Sequence, residues 1–237
     1  MKTYFILLIM AVFVTSCAKR SILANNFDTS KKIANSDAVS SIKPESGALN
    51  QIDDTTFVNL KNYSNDFVYD MRYATRDNFL KAKVYDCAEC YLRYKTVKAL
   101  VKANEAFMKK GFRIKLYDCY RPLDIQKRMW AIVSNPEYVA NPAKGSIHNR
   151  GGAVDISLVD KRGKELNMGT AFDFFGKEAG HNYTRLSKKI IKNRILLKTV
   201  MVENNFKIFD SEWWHYNLKD ASKDKISNFK WDCNLKF

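Results

Sequence analysis

The stretch Ser146-Ile147-His148-Asn149-Arg150-Gly151-Gly152-Ala153-Val154-Asp155 decides how this chain is read. His148 and Asp155 stand seven residues apart around a glycine pair. After the pair, Ala153 to Val159 alternates with the period of a strand. Asp155 is therefore a carboxylate planted on a half-buried strand beside a Gly-rich bend, and a carboxylate in that setting needs a cation. Far downstream, Glu212-Trp213-Trp214-His215 sets a second carboxylate and imidazole among aromatics. The chain has three histidines, and two of them fall in these two segments.

Working outward, Phe112 to Asp118 alternates as a strand and ends at Cys119-Tyr120-Arg121-Pro122. Pro122 suits the start of a helix over Leu123 to Val133. Arg121 then stands at a strand-to-helix junction, where it either faces a cleft or pairs at the surface with Asp118 or Asp124. Thr96 to Lys110 has the spacing of an amphipathic helix stopped by Gly111. Thr56 to Leu60 and Phe67 to Tyr73 read as extended, and Pro136 to Gly145 as loop. Beyond the central strand come a turn at Lys161 to Lys164 and a polar-aromatic cluster at Met168 to Asp173. His181 reads as an inert surface residue. A helix is expected over Leu186 to Asn204, and a strand at Phe206 to Phe209 leads into Ser211 to Leu218. Strands and helices mix without regular alternation and without repeats, so the expected class is α+β.

At 237 residues and 46% hydrophobic composition the chain can build one sizeable core. Its first residues read as an export signal: Lys2 supplies charge, and Phe5 to Val14 is an apolar run too short for a permanent span. The run ends in Val14-Thr15-Ser16-Cys17, which resembles a bacterial lipobox with Cys17 as the lipidated residue; the alternative is an ordinary cleaved signal. Residues 18–52 are rich in Ser, Asn, Lys and Asp and read as a flexible tether, with the folded domain over 53–237. The expected address is that of an exported bacterial lipoprotein on the periplasmic side of a membrane. Cys87, Cys90, Cys119 and Cys233 suggest two disulfides with three possible pairings, while Cys87-Ala-Glu-Cys90 could instead be half a zinc knuckle or a redox pair. The net charge of +15 is scattered and comes with no nucleic-acid motif, so a solvated surface is expected, attracted at most to anionic lipid or wall polymer.

His148, Asp155 and His215 would make a site of two imidazoles and one carboxylate, a donor set that suits zinc and leaves a position open. Such an ion lowers the pKa of bound water from about 16 toward 7. Glu212, three residues before His215, would point to the opposite face of a regular strand, so the segment must bulge if both are to share a site. If it does, Glu212 can carry a proton from water to a leaving amine, and Arg121 can stabilise an oxyanion. Trp213 and Trp214 are expected to pack, one of them walling the site.

Taken together, Ser146-x-His148-x-x-Gly151-x-Ala153-x-Asp155 and Glu212-x-Trp214-His215 resemble the motifs of the zinc D,D-peptidases. Tyr117 to Pro122, Met168 to Asp173 and Asp70 to Thr75 resemble the VanX-type D-alanyl-D-alanine dipeptidases within that group. The resemblance implies a domain with a central antiparallel sheet flanked by helices. It implies one zinc ion on His148, Asp155 and His215, Glu212 as general base and acid, and Arg121 on the tetrahedral intermediate. It also implies that Ser146 and Asp173 hold the dipeptide, Asp173 at its ammonium. The related alternative is a D-alanyl-D-alanine carboxypeptidase acting on peptidoglycan stems. Within this resemblance Cys119 is expected to bond Cys87 or Cys90.

Overall fold

A computed structural model describes residues 52–234 of the chain. Cys17, the signal segment before it and all but the last residue of the expected tether lie outside these residues. The elements in order are β1 (Phe57–Asn59), β2 (Val68–Tyr69), β3 (Tyr91–Arg93), α1 (Tyr94–Lys109), β4 (Phe112–Asp118), α2 (Leu123–Ile132), β5 (Ala153–Asp160), α3 (Lys188–Glu203), β6 (Phe206–Phe209) and β7 (Glu212–Leu218). Five strands form one sheet in the order β2-β4-β5-β7-β6, and β1 pairs with β3 apart from it. The ladders β4-β5, β5-β7 and β6-β7 are antiparallel, whereas edge strand β2 runs parallel to β4. The α+β class holds, with a parallel edge that the expected antiparallel sheet lacked.

Helix α1 forms because Val97, Leu100, Ala103 and Phe107 recur on one face while Lys98, Lys102, Glu105 and Lys109 stay in solvent. Its apolar face meets Val154, Ile156 and Leu158 of β5 and Leu197, Val200 and Met201 of α3 in one buried core. Each such side chain contributes about 1.5–3 kcal/mol on burial. Because strand side chains alternate, sending Val154, Ile156 and Leu158 into that core turns Asp155 and Ser157 to the other face of the sheet. The candidate ligands therefore lie on the side away from α1 and α3.

Two expectations change. The extended segment Phe67–Tyr73 gives only the two-residue β2, since Arg72–Ala74 winds into a 3-10 turn. There Asn78 Nδ2 donates to the carbonyls of Arg72, Thr75 and Ala82, offering the backbone local partners in place of a ladder. His181 is not a surface residue: it is half-buried, its ring lies 6.1 Å from that of Tyr216, and burial followed by the Lys198 and Arg194 charges pushes it down to about 4.

The disulfides are Cys90–Cys119 and Cys87–Cys233. The two cysteines of the Cys-x-x-Cys pair thus take different partners, which removes the knuckle and redox alternatives. Cys90–Cys119 ties the approach to β3 to the end of β4, where the Arg121 loop begins. Cys87–Cys233 fastens the C-terminal strap, whose Trp231 stacks on Tyr91 at 5.1 Å and whose Phe229 stacks on Phe57 at 5.2 Å. Ser227 of the strap donates its N–H to the Asn149 carbonyl (2.8 Å) and accepts from the Leu123 N–H (3.2 Å). The strap thereby braces both loops that lead into the site.

Candidate active site

His148 opens a single 3-10 turn, His148–Arg150, closed by Gly151 at φ 72°. A Cβ on Gly151 would stand 2.5 Å from Phe57 Cε1, so both the left-handed backbone and the close approach call for glycine. Asp155 on β5 pairs directly across the ladder with His215 on β7. This pairing, with the turn above it, brings three donor atoms together. His215 Nδ1 lies 2.9 Å from Asp155 Oδ1, His148 Nε2 lies 3.4 Å from the same oxygen, and the two nitrogens are 3.2 Å apart.

The outer nitrogens decide what these atoms are. His148 Nδ1 meets the Cys119 carbonyl at 2.7 Å and His215 Nε2 meets Asn217 Oδ1 at 2.9 Å, so both outer nitrogens donate a hydrogen. A neutral imidazole donating from one nitrogen presents a lone pair on the other. Two imidazole lone pairs and a carboxylate then face one point, an arrangement that repels itself unless a cation sits between them. The three residues can hold a metal ion. In place of a metal cation, positive charge on protonated His148 and His215 has the same effect: burial would push the Asp155 carboxyl up, but those charged rings hold it well below the usual carboxylate range.

The demand on Glu212 is met by a bulge. Strand β6 pairs Ile208 with Tyr216 but Phe209 with Glu212, so Trp213 to His215 loop out against a single step of the partner. Glu212 Oε2 thereby comes within 3.9 Å of His215 Nδ1. Burial raises its pKa, with Asp155 adding to the rise and His215 opposing it. Trp214 walls the cavity, whereas Trp213 is buried and donates Nε1–H to Thr170 Oγ1 at 2.8 Å.

The cavity, about 280 Å³, is lined by all seven residues singled out for the site in the sequence: Arg121, Ser146, His148, Asp155, Asp173, Glu212 and His215. Arg121 is 7% exposed and does pair with Asp118, but inside the protein rather than on its surface. Its Nε and Nη2 donate to Asp118 Oδ2 at 3.1 and 2.5 Å, and Nη1 donates to Gln126 Oε1 at 3.0 Å. Those bonds use three of five N–H groups and leave two for a ligand. Asp173 has φ 58°, a left-handed conformation that an aspartate tolerates. Its Oδ2 accepts from the Tyr73 hydroxyl at 3.0 Å. Burial first, then the Asp155 charge, pushes the Asp173 carboxyl well above its usual value. Ser146 donates its N–H to Asn149 Oδ1 at 2.7 Å, with its hydroxyl 3.2 Å from the same oxygen.

Four supporting residues complete the site; of these the sequence pointed only to Asp118, as a surface partner of Arg121. Asp118 is fully buried, and its Oδ1 accepts from Tyr85 (2.8 Å) and from the Cys119 N–H (2.9 Å) while Oδ2 holds Arg121. Tyr73 holds Asp173. Asn149 donates Nδ2–H to the Arg121 carbonyl at 2.7 Å, locking the two loops together. Asn217 orients His215. Its place two residues along the same strand, hence on the same face, was a usable signal; Asp118 stands three residues before Arg121, whereas Tyr73–Asp173 and Asn149–Arg121 join segments far apart in sequence.

The M15 peptidase profile, described as D-Ala-D-Ala dipeptidase, matches residues 53–232. The D-alanyl-D-alanine dipeptidase of Escherichia coli (strain K12) is 31% identical over 181 residues, 76% of this chain and 94% of that protein. The D-alanyl-D-alanine dipeptidase of Enterococcus faecium is 30% identical over 173 residues, 64% of this chain and 86% of that protein. A solved LD-carboxypeptidase is 24% identical at a TM-score of 0.38, covering 56% of this chain and 62% of its own, too distant to inform the site. The profile spans three quarters of the sequence, including every residue that lines the cavity, and the chain belongs to the D-Ala-D-Ala dipeptidase family of M15 peptidases.

Proposed function

We propose that this peptidase is a zinc enzyme that hydrolyses the dipeptide D-alanyl-D-alanine, exported and lipid-anchored through Cys17, in cell-wall turnover or scavenging. The observation that carries the reading is the convergence of His148 Nε2, His215 Nδ1 and Asp155 Oδ1 beside Glu212. A tetrahedral zinc ion with bonds near 2.0–2.1 Å holds its donors about 3.3 Å apart. The three separations of 2.9, 3.4 and 3.2 Å fit that edge. Two nitrogens and one oxygen are the donor types zinc takes at catalytic sites. When bound there, zinc supplies a Lewis acid that polarises a peptide carbonyl and acidifies water.

The protein's own groups do the rest. Glu212 accepts a proton from the attacking water and returns it to the leaving amine nitrogen as the C–N bond breaks. Its raised pKa suits a group that must both take and give a proton. The two free N–H groups of Arg121 donate to the oxyanion that grows on the attacked carbonyl, already oriented by Asp118 and Gln126. Among the described residues Asp173, which feels the Asp155 charge and only in part that of Arg121, forms no ion pair; the ammonium of a free dipeptide supplies a partner, and Tyr73 holds the carboxylate toward it. An N-acylated peptide offers no such charge and leaves the carboxyl unpaired, which is the basis of discrimination. Ser146 completes the grip on the dipeptide from the loop above. The pairs Cys87–Cys233 and Cys90–Cys119 fit an oxidising compartment and so support export.

The test is metal analysis of the purified full chain together with turnover of free and N-acylated dipeptide. About one zinc per chain and preference for free D-alanyl-D-alanine are expected. Preference for the acylated peptide would instead identify a carboxypeptidase. Glu212→Gln should keep the metal and lose turnover by about 10²–10⁴-fold. Cell fractionation tests the address: Cys17→Ala should move the protein from the membrane to a soluble fraction.

A further inference from the structure

Past Glu212, next to the catalytic cavity, lies a second recess of about 240 Å³, walled by Tyr138, Phe174, Phe175, Gly176 and Lys177. Glu137, Tyr138, Phe175 and Glu212 line both spaces, so the two adjoin across these side chains. The walls are packed rather than loose. Tyr138 stacks on Phe175 at 4.3 Å, and Phe79 meets Phe175 edge-on at 4.9 Å. A Cβ on Gly176 would stand 2.4 Å from Phe174 Cε1, so the glycine lets that ring lie against the backbone. Yet the rings remain open to solvent: Tyr138 is 41% exposed, Phe174 43%, Phe175 36%, and Phe209 on the cavity's own wall 47%. Among the described residues only eight large apolar side chains are this exposed; three of them line this one recess, and Phe209 lines the adjoining catalytic cavity. Clustered exposed apolar surface marks a place where something binds. The methyl group of an alanine covers almost none of it.

We propose that this recess receives the side chain of the substrate's C-terminal residue, and that the enzyme therefore acts on dipeptides ending in a bulky apolar D-residue as well as on D-alanyl-D-alanine. The inference rests on the dipeptidase reading above. Glu212 sets the direction. It gives its proton to the leaving amine, and it forms the wall between the two spaces, so the leaving residue lies on its side. Arg121, Asp173 and the three ligand residues line only the first space, which keeps the N-terminal residue there. Phe174 touches the recess and not the catalytic cavity, and so separates the two.

The experiment measures kcat/KM of the zinc-loaded full chain for D-Ala-D-Ala, D-Ala-D-Leu, D-Ala-D-Phe and the reversed D-Phe-D-Ala, in wild type, Phe174→Ala and Phe174→Leu. One well-placed apolar contact is worth about 10-fold or more in discrimination. D-Ala-D-Phe should exceed D-Ala-D-Ala by about 10-fold, mostly through a lower KM. Phe174→Ala should remove most of that gain, with Phe174→Leu intermediate, while D-Ala-D-Ala changes less than about twofold. The proposal is overturned if D-Ala-D-Phe is turned over no better than D-Ala-D-Ala, if D-Phe-D-Ala is the favoured partner, or if Phe174→Ala lowers all substrates alike. A wild type that turns over D-Ala-D-Ala but shows no preference for D-Ala-D-Phe sinks this inference alone; no turnover of any dipeptide sinks it together with the dipeptidase reading.

Discussion

Replacing Asp118 by Asn tests whether Arg121 is a prepared donor or merely a nearby cation. Asp118 is fully buried and Arg121 is 7% exposed, with Nε and Nη2 both on Asp118 Oδ2. The substitution keeps the shape and can still accept from Tyr85 and Cys119 N–H. It removes the charge, however, and turns an amide NH₂ toward the guanidinium. Removing one partner of a buried pair costs about 3–5 kcal/mol, since the other charge stays desolvated. For a domain of this size each kcal/mol moves Tm by about 2–4 °C, so melting should fall by roughly 6–20 °C. Activity reports the second half of the argument. With Arg121 no longer held, kcat should fall by about 10²–10³-fold while KM changes little and metal content is unchanged. Adding Arg121→Met to Asp118→Asn should restore stability toward wild type, with a coupling of about 2 kcal/mol in a double-mutant cycle followed by urea unfolding. Melting within about 2 °C of wild type, or simple additivity of the two changes, would refute the buried-pair account.

Three further outcomes are expected. His181 is neutral in the fold, pushed down to about 4 from an ordinary 6.5, so its contribution is whole above pH 6.5 and is lost as pH falls toward 4. Its partly open edge limits the loss to about 1–2 kcal/mol, and His181→Gln should flatten this part of the stability–pH curve in urea titrations. Cys87–Cys233 closes a sequence separation of 146, for which the chain-entropy relation gives an upper figure of about 5 kcal/mol. Cys233→Ser should therefore lower the urea midpoint markedly; an unchanged midpoint would mean that the strap adds nothing to the loops it crosses. Gly151→Ala forces a side chain into a left-handed position and against Phe57, at about 2–4 kcal/mol, and should displace His148 enough to lower zinc content; full metal retention in mass spectrometry would contradict the role given to that turn.

Much of this was legible from local patterns. Helices α1 and α3 followed from apolar spacing and α2 from Pro122 at its start, with ends within two residues of those observed: α1 begins at Tyr94 rather than Thr96, and α3 at Lys188 rather than Leu186. Strand β5 followed from alternation and the glycine pair before it. The segment around Phe67 failed because a strand pattern there competes with local bonds from Asn78 that no periodicity records. His181 failed because the polarity of its flanking residues says nothing of Tyr216 packing behind it from another strand.

The sequence by itself determined the chemistry: which imidazoles and carboxylates the chain owns, which lie on alternating strands, and that Glu212 needs an irregular backbone to join His215. Only the tertiary structure decided their meeting. Asp155 and His215 become neighbours through the register of an antiparallel ladder, and a one-residue slip would send one of them to the other face of the sheet. The same holds for Tyr85 on Asp118, Tyr73 beneath Asp173, and the choice of Cys90 over Cys87 as partner for Cys119. Each is a contact between distant segments whose geometry is set by the packed core, while local sequence fixes only the residue types that arrive there.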